Sequence, residues 1–396
     1  DRSSVIFPPS IAYQVGSNER RGKSRASVNS LRANDGPSRH SIPQSLFAVS
    51  QIINSHDFRM TSINRRQFHA ASLASLTTSI LSTGCSPRRA TNVSSLVAYV
   101  ALDAEFSEPI IEQFSRDRRI QVRAKFDIES TKTIGLTQAL LSEARNPRCD
   151  LFWNNEILNT MRLETAGILE PYQSPQSQYY PAHFRSPTNH WCGFAARARV
   201  LLVNEDRVPA ADSPTSLLDL ISRRWRGQIG IAKPLFGTTA SHVACLFAFW
   251  GEKQARQYFL DLKANDVQIL SGNKQVALAV SRGEIAFGLT DTDDAIIEIE
   301  KGMPVKMVYP DRESEQMGTL FIPNSVALIR GGPNPEAARQ FIDYLLTREV
   351  EEQLAKSASA QIPLHTQSTY EGRVETPRTV RSMEVDFVEA ARNWDL

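Results

Sequence analysis

Gly193-Phe-Ala-Ala-Arg-Ala-Arg-Val-Leu-Leu-Val-Asn204 decides how this chain is read. An apolar run of this length exceeds an ordinary strand of about 5–6 residues, so it is expected to cross from one sheet to another. Upstream, Leu96-Val-Ala-Tyr-Val100, Ile120-Gln-Val-Arg-Ala124 and Asp150-Leu-Phe-Trp153 read as strands, with helical patterns over residues 108–114 and 136–145. Pro109 is expected in the first turn of its helix, where a missing N–H costs nothing. This βαβαβ opening predicts a parallel sheet with helices on both faces. Downstream the pattern repeats: a strand over 228–232, helices over 241–250 and 253–263, and a strand over 285–289. A second long run, Gly318-Thr-Leu-Phe-Ile-Pro-Asn-Ser-Val-Ala-Leu-Ile329, is the return crossing, and Pro335 opens a helix over 336–346. The expected fold is therefore α/β and two-lobed, with parallel-rich sheets flanked by helices. Residues 94–195 plus 320–396 form lobe 1 and 196–319 lobe 2. Two crossing strands make a hinge, and ligands of such sheets sit beyond the carboxyl ends of the strands.

Composition excludes several classes. With 41% hydrophobic residues and a formal charge of +2, the chain is neither a disordered polymer nor a nucleic-acid binder. Cys149, Cys192 and Cys245 show no CxxC spacing, which argues against a disulfide framework and against zinc. His183, His190, His242 and His365 lack ligand spacing. There is no Walker-type loop and no Gly-x-Ser-x-Gly elbow.

The N-terminal region carries a different signal. Met60 is the first methionine, and Asn64-Arg-Arg-Gln-Phe68 precedes a weakly apolar run that ends at Leu81-Ser-Thr-Gly-Cys85. Paired arginines and an apolar segment of about 15 residues closing on small residues predict an export signal over 60–85. Residues 1–59, rich in Ser, Arg, Asn and Pro, are expected to be an upstream extension or disordered. The signal resembles a twin-arginine type, and Gly84-Cys85 resembles a lipoprotein site. Lipid attachment at Cys85 and simple cleavage near it both remain open. The exported part is expected to work in the periplasm or elsewhere outside the cytoplasm.

From Leu96 to Pro363 the chain resembles the solute-binding subunit of a bacterial ABC importer, of the ferric-iron-binding type with the type II periplasmic fold. The residues that carry the resemblance are Tyr99 to Pro109, Asp150-Leu-Phe-Trp-Asn-Asn-Glu156, Trp191 to Asn204, Pro234-Leu-Phe-Gly-Thr-Thr-Ala240, Arg282 to Asp294, and Ile322-Pro-Asn-Ser-Val326. The resemblance implies a monomeric binding protein with no catalytic cofactor. It would close on a small ligand, Fe(III) or another hard metal ion with a synergistic anion, and deliver it to membrane permease subunits. Ferric relatives place two adjacent tyrosines after a Gly-aliphatic pair; here Gly288-Leu289 leads to Asp293 and Asp294 in those positions. Asp103 stands where relatives often place a histidine. Asn155 aligns with a usual glutamate, and Glu156 follows it.

The residues point the same way without the family. Asp103, Glu156, Asp291, Asp293 and Asp294 lie at the mouths of three strand–helix turns, as candidate ligands for a hard cation or an organic cation. In an extended turn Asp291 and Asp293 would point one way and Asp294 the other. Asp291 and Asp294 are equally read as helix caps. Gly237, Thr238 and Thr239, ahead of a helix, are candidate anion-binding groups, with plain capping by Thr239 or Ser241 as the compatible alternative. Tyr99, Trp153, Asn155 and Arg197 are expected to line the cleft. Arg199 alternates with Arg197 on the crossing strand, and one exposed side of a strand explains the pair equally well. Alternatives to the metal are a small organic solute such as thiamine, a polyamine or a phosphonate, and an exported carboxylate-dependent enzyme.

Overall fold

The computed structural model describes residues 94–127 and 134–396. The expected export signal and Cys85 lie outside the described residues. The described chain opens with β1 (Ser94–Val100), α1 (Ala104–Arg118), β2 (Ile120–Phe126), α2 (Ile134–Ser142), β3 (Leu151–Asn154) and α3 (Leu158–Thr165). β1 pairs in parallel with both β2 and β3, as a βαβαβ unit requires. α1 begins at Ala104, so Pro109 falls in its second turn rather than its first. There Pro109 is exposed, as is Glu108, on the solvent side of the helix.

After β4 (Leu169–Glu170) comes β5 (Trp191–Asn204), buried along its whole length. Burial on both faces explains why it reads as a continuous apolar run and not as an alternation. β6 (Ile229–Ala232), α4 (Gly237–Trp250), α5 (Glu252–Ala264), β7 (Gln268–Leu270), α6 (Asn273–Ser281), β8 (Phe287–Asp291), α7 (Thr292–Glu300) and β9 (Val305–Val308) follow. β10 (Phe321–Ile329), α8 (Pro335–Leu345), α9 (Arg348–Lys356) and α10 (Phe387–Arg392) complete the described elements.

The strand order is β2-β1-β3-β10-β5-β8-β6-β7. β5 changes partners along its length: Trp191 to Ala198 face β10, whereas Arg199 to Val203 face β8 and Leu201 to Asn204 face β9. One strand thus belongs to two half-sheets. The change falls beside an irregularity, because Ala195 has φ +44° and the β10 register shifts between Pro323 and Asn324. The displaced Ala195 N–H is taken by the Glu351 carboxylate at 2.6 Å.

In the second half-sheet, Gly230 of β6 pairs with Gly288 of β8. A Cβ on Gly288 would stand 2.5 Å from Val276 Cγ1 of α6, so this glycine lets α6 lie close on the sheet. That approach brings the start of α6 to the ends of β6 and β8.

The C-terminal segment does not stay with one half-sheet. Ile362 exchanges two hydrogen bonds of 2.8 Å with Ala196 of β5. Arg373 pairs with Glu300 of α7, Glu375 N–H donates to Tyr309 at 2.9 Å, and Met383 N–H donates to Thr319 at 2.9 Å. α10 then packs against both α3 and α4.

Candidate functional site

A cleft of about 1010 Å³, counted with its part open to solvent, lies beyond the carboxyl ends of β1, β3, β6, β7 and β8. From the first half-sheet, Asp103 at the β1–α1 turn and Asn155 after β3 line it. From the second half-sheet come Lys233, the start of α4, Asn273 and Lys274 at the start of α6, and the β8–α7 turn with Asp291, Asp293 and Asp294, while Arg197 reaches the cleft from the part of β5 that still faces β10.

One carboxylate oxygen from each of Asp291, Asp293 and Asp294 lies within 4.8 Å of the others. The alternation expected of an extended turn is replaced here by a helix. Asp291 is the residue preceding α7, and Asp293 and Asp294 fall in its first turn, where the chain winds and brings all three together. Asp291 makes no side-chain cap bond to α7, contrary to its capping alternative. The helix N-terminus favours negative charge at Asp293 and Asp294.

Asp291 lines the cleft, yet its oxygens are already committed. Arg199 Nη1 donates to Oδ1 at 2.6 Å, Asn273 Nδ2 donates to Oδ2 at 2.8 Å, and the Thr238 hydroxyl also donates to Oδ2. Arg199 and Asp291 are directly opposite in the β5–β8 ladder, and both are buried. Arg199 reaches further, to His242 Nδ1 at 3.4 Å through Nε and to Thr239 at 3.2 Å through Nη2. The Thr239 hydroxyl donates to Asn273 Oδ1 at 2.9 Å. One buried guanidinium therefore ties β8, α4 and α6 together. Burial and the adjacent Arg199 charge hold His242 well below its ordinary pKa, as a neutral imidazole.

Several expected site residues require correction. Glu156 is fully buried rather than cleft-lining. It accepts from Asn154 Nδ2 at 2.9 Å, from the N–H groups of Leu158 at 2.6 Å and Asn159 at 3.0 Å, and from Ser241 Oγ at 2.9 Å. It therefore caps α3 and leaves no oxygen for a cation; its burial pushes the carboxyl pKa up. Tyr99 is buried, does not line the cleft and donates to Glu143 at 2.9 Å, with its phenol raised by burial. Trp153 is buried with its ring 5.7 Å from Phe194. Thr238 and Thr239 line the cleft, but their hydroxyls are spent on Arg199, Asn273 and Asp291. Asp103, Asn155, Arg197 and Gly237 do border the cleft.

Sequence reasoning missed Asn273 and Lys274, which open α6, and Lys233, which follows β6. The Gly272-Asn273 step after a short apolar strand was the available signal.

A cleft at the carboxyl ends of strands from two half-sheets is the arrangement of the type II periplasmic binding-protein fold, and comparison agrees. Residues 153–390 match the bacterial extracellular solute-binding protein family, and the chain belongs to it. Iron uptake protein A2 of Synechocystis is 26% identical over 309 residues, covering 75% of this chain and 85% of that protein. The crystal structure of iron-bound HitA from Pseudomonas aeruginosa superposes with a TM-score of 0.68 at 22% identity, covering 76% of this chain and 100% of that one. The binding protein AfuA from Actinobacillus pleuropneumoniae, with fructose-6-phosphate bound, gives 0.67 at 23% identity, covering 76% and 97%.

Proposed function

We propose that this chain is the solute-binding subunit of an ABC importer, and that it carries ferric iron, or another hard metal ion, together with an anion. The observation that carries the reading is the convergence of Asp293 and Asp294 carboxylates in the first turn of α7, at the floor of the cleft. Hard cations take carboxylate oxygens, and Asp103 borders the same cleft from the opposite side. Asp291 serves as the internal counter-ion of Arg199. The likeness to an iron-uptake protein supports the metal reading.

Closing is the mechanism. The lobes are residues 94–195 plus 320–396, and 196–319, with the tail after Ile362 running across both. Only the shut form brings Asp103 to a cation held on Asp293 and Asp294, and that form is what the permease recognises. The protein acts as a monomer outside the cytoplasm, exported through the signal over 60–85 and attached or cleaved at Cys85. Mass spectrometry of the exported protein tests this: an intact segment 60–84 would overturn it.

A phosphate- or phosphonate-bearing organic solute is the second reading. It is favoured by Lys233 and Lys274 beside the starts of α4 and α6. Thermal shift separates the two. Ferric citrate should raise the melting temperature, because a ligand at 100 times its Kd adds about 2.7 kcal/mol. A shift with phosphonates and none with any metal would favour the organic solute. Recovery of unchanged ligand distinguishes binding from enzymatic turnover.

A further inference from the structure

α10 and the 3-10 turn Asn393–Asp395 that follows it lie where elements of the two half-sheets come together. α10 packs against α3, which follows β3, and against α4, which follows β6, and the 3-10 turn packs on α4 as well. A helix of 6 residues has no stability of its own in water, so α10 exists because of what it is packed on. Its sequence supplies the local part. Asp386 caps it, accepting from the N–H groups of Val388 at 2.8 Å and Glu389 at 3.1 Å, and Ala390 is fully buried.

Side chains fix the grip beside α3. The Phe387 ring lies 6.0 Å from that of Phe184, ahead of β5. The Arg162 guanidinium of α3 stands over the Trp394 ring at 5.3 Å, with Nη2 3.5 Å from Asp395 Oδ1. Asp395 is mostly exposed, so the ring contact and the packing carry the grip rather than the ion pair. Arg162 is aimed by its own helix, because Nη1 donates to Asn159 Oδ1 at 2.8 Å. The Asn159 N–H donates in turn to Glu156 at 3.0 Å, and Glu156 accepts from Ser241 of α4. The C-terminal turn is thereby linked to the turn that presents Asn155 to the cleft.

We propose that α10 is a clasp on the cleft: it bridges α3 and α4 in the shut form and must let go of one of them before the cleft opens. This rests on the closing mechanism proposed above and adds the segment that sets how readily the shut form gives way. When the walls of the cleft part, α3 moves with the first half-sheet and α4 with the second, so a helix seated on both cannot keep both contacts. The chain leading to α10 is itself tied down ahead of β10, since Thr319 N–H donates to the Arg381 carbonyl and Met383 N–H to that of Thr319, both at 2.9 Å. Undocking a helix this short is a local opening, far less costly than unfolding the sheet.

The test compares the exported wild-type protein, free of ligand, with two variants: Arg162→Gln combined with Trp394→Ala, and a chain ending at Val385. Small-angle scattering reads the radius of gyration, and stopped-flow mixing reads the release of ferric citrate. The double variant is expected to favour the open form about 2–5-fold over the wild type, the loss of one cation–π contact, with a larger radius and release faster by the same factor. The shortened chain should shift further in the same direction. Circular dichroism checks its folding; if it does not fold, the double variant decides, since both of its side chains are partly exposed. Arg392→Gln serves as control, because Arg392 pairs within α10, with Glu389 at 3.3 Å, and should change neither reading. An unchanged radius in the double variant, or an equal change in Arg392→Gln, overturns the proposal. If ferric citrate does not bind, the metal reading falls and the scattering still decides the clasp.

Discussion

Ser241 Oγ donates to Glu156 Oε2 at 2.9 Å, linking elements of the two half-sheets, with both residues fully buried. Ser241 lies on α4 and Glu156 precedes α3, so the bond joins the helix that follows β6 to the turn after β3 that presents Asn155 to the cleft. Arg197 grips the same turn through the Asn155 carbonyl. Ser241 of α4 and Arg197 of β5 thus hold consecutive residues of the β3–α3 turn.

Ser241→Ala removes one of these grips while Glu156 keeps its other donors. The ligand-free protein is expected to lose about 1 kcal/mol of stability. It should also open on average, which small-angle scattering reads as a larger radius of gyration. An unchanged radius would show that this bond does not restrain the lobes.

Asp293→Asn and Asp291→Asn are expected to separate ligand from framework. Asp293→Asn removes charge at nearly constant shape, so affinity for ferric citrate should fall at least ~10-fold, with a loss of apo stability smaller than that of Asp291→Asn because its contact with Arg197 is longer, at 3.7 Å. Asp291→Asn leaves the buried Arg199 unpaired and should cost about 3–5 kcal/mol. Denaturant unfolding and calorimetry of both variants check this; equal stability losses would remove the distinction.

Colour follows from the tyrosines. None lines the cleft among the described residues, and Tyr99 is engaged with Glu143. Phenolate-to-iron charge transfer is therefore absent, and adding ferric citrate should produce no intense visible band. Such a band would place the iron elsewhere.

A pH dependence follows from Glu351. Burial pushes its carboxyl from an ordinary 4.5 up to about 7, outweighing the N–H donors of Ala195, Leu364 and His365 that favour the anion. The folded state therefore holds a proton between these values that the unfolded chain has lost. Its contribution, on the order of 3 kcal/mol, is present below pH 4.5 and lost as pH rises through about 7. Glu351→Gln should flatten the fall in melting temperature between pH 5 and 8 relative to the wild type. Parallel profiles would show that Glu351 does not titrate there.

Much of the fold was legible because it is written in local pattern. β5 and β10 appear as long, largely apolar runs since both faces of each are covered, and the opening βαβαβ unit follows from periodicity. Boundaries moved where context decided them: β8 runs from Phe287 to Asp291, so the strand itself delivers Asp291 to Arg199. The acidic turn was legible as composition, and its sorting into roles was not. Asp291, Asp293 and Asp294 look alike in sequence; only the register of β5 against β8 places an arginine beside the first.

By itself the sequence determined the α/β class, the two crossings, the expected export signal and the concentration of carboxylates at the ends of strands, because hydrophobic period and residue chemistry act over short stretches. Tertiary structure decided which polar groups remain for a ligand. Glu156, Asp291, Thr238 and Thr239 are consumed by partners far away in the chain, Arg199, Ser241 and Asn273 among them, whereas Arg197 is buried with donors unfilled. Hydrogen-bond satisfaction depends on where distant elements meet, and only the folded chain settles those meetings.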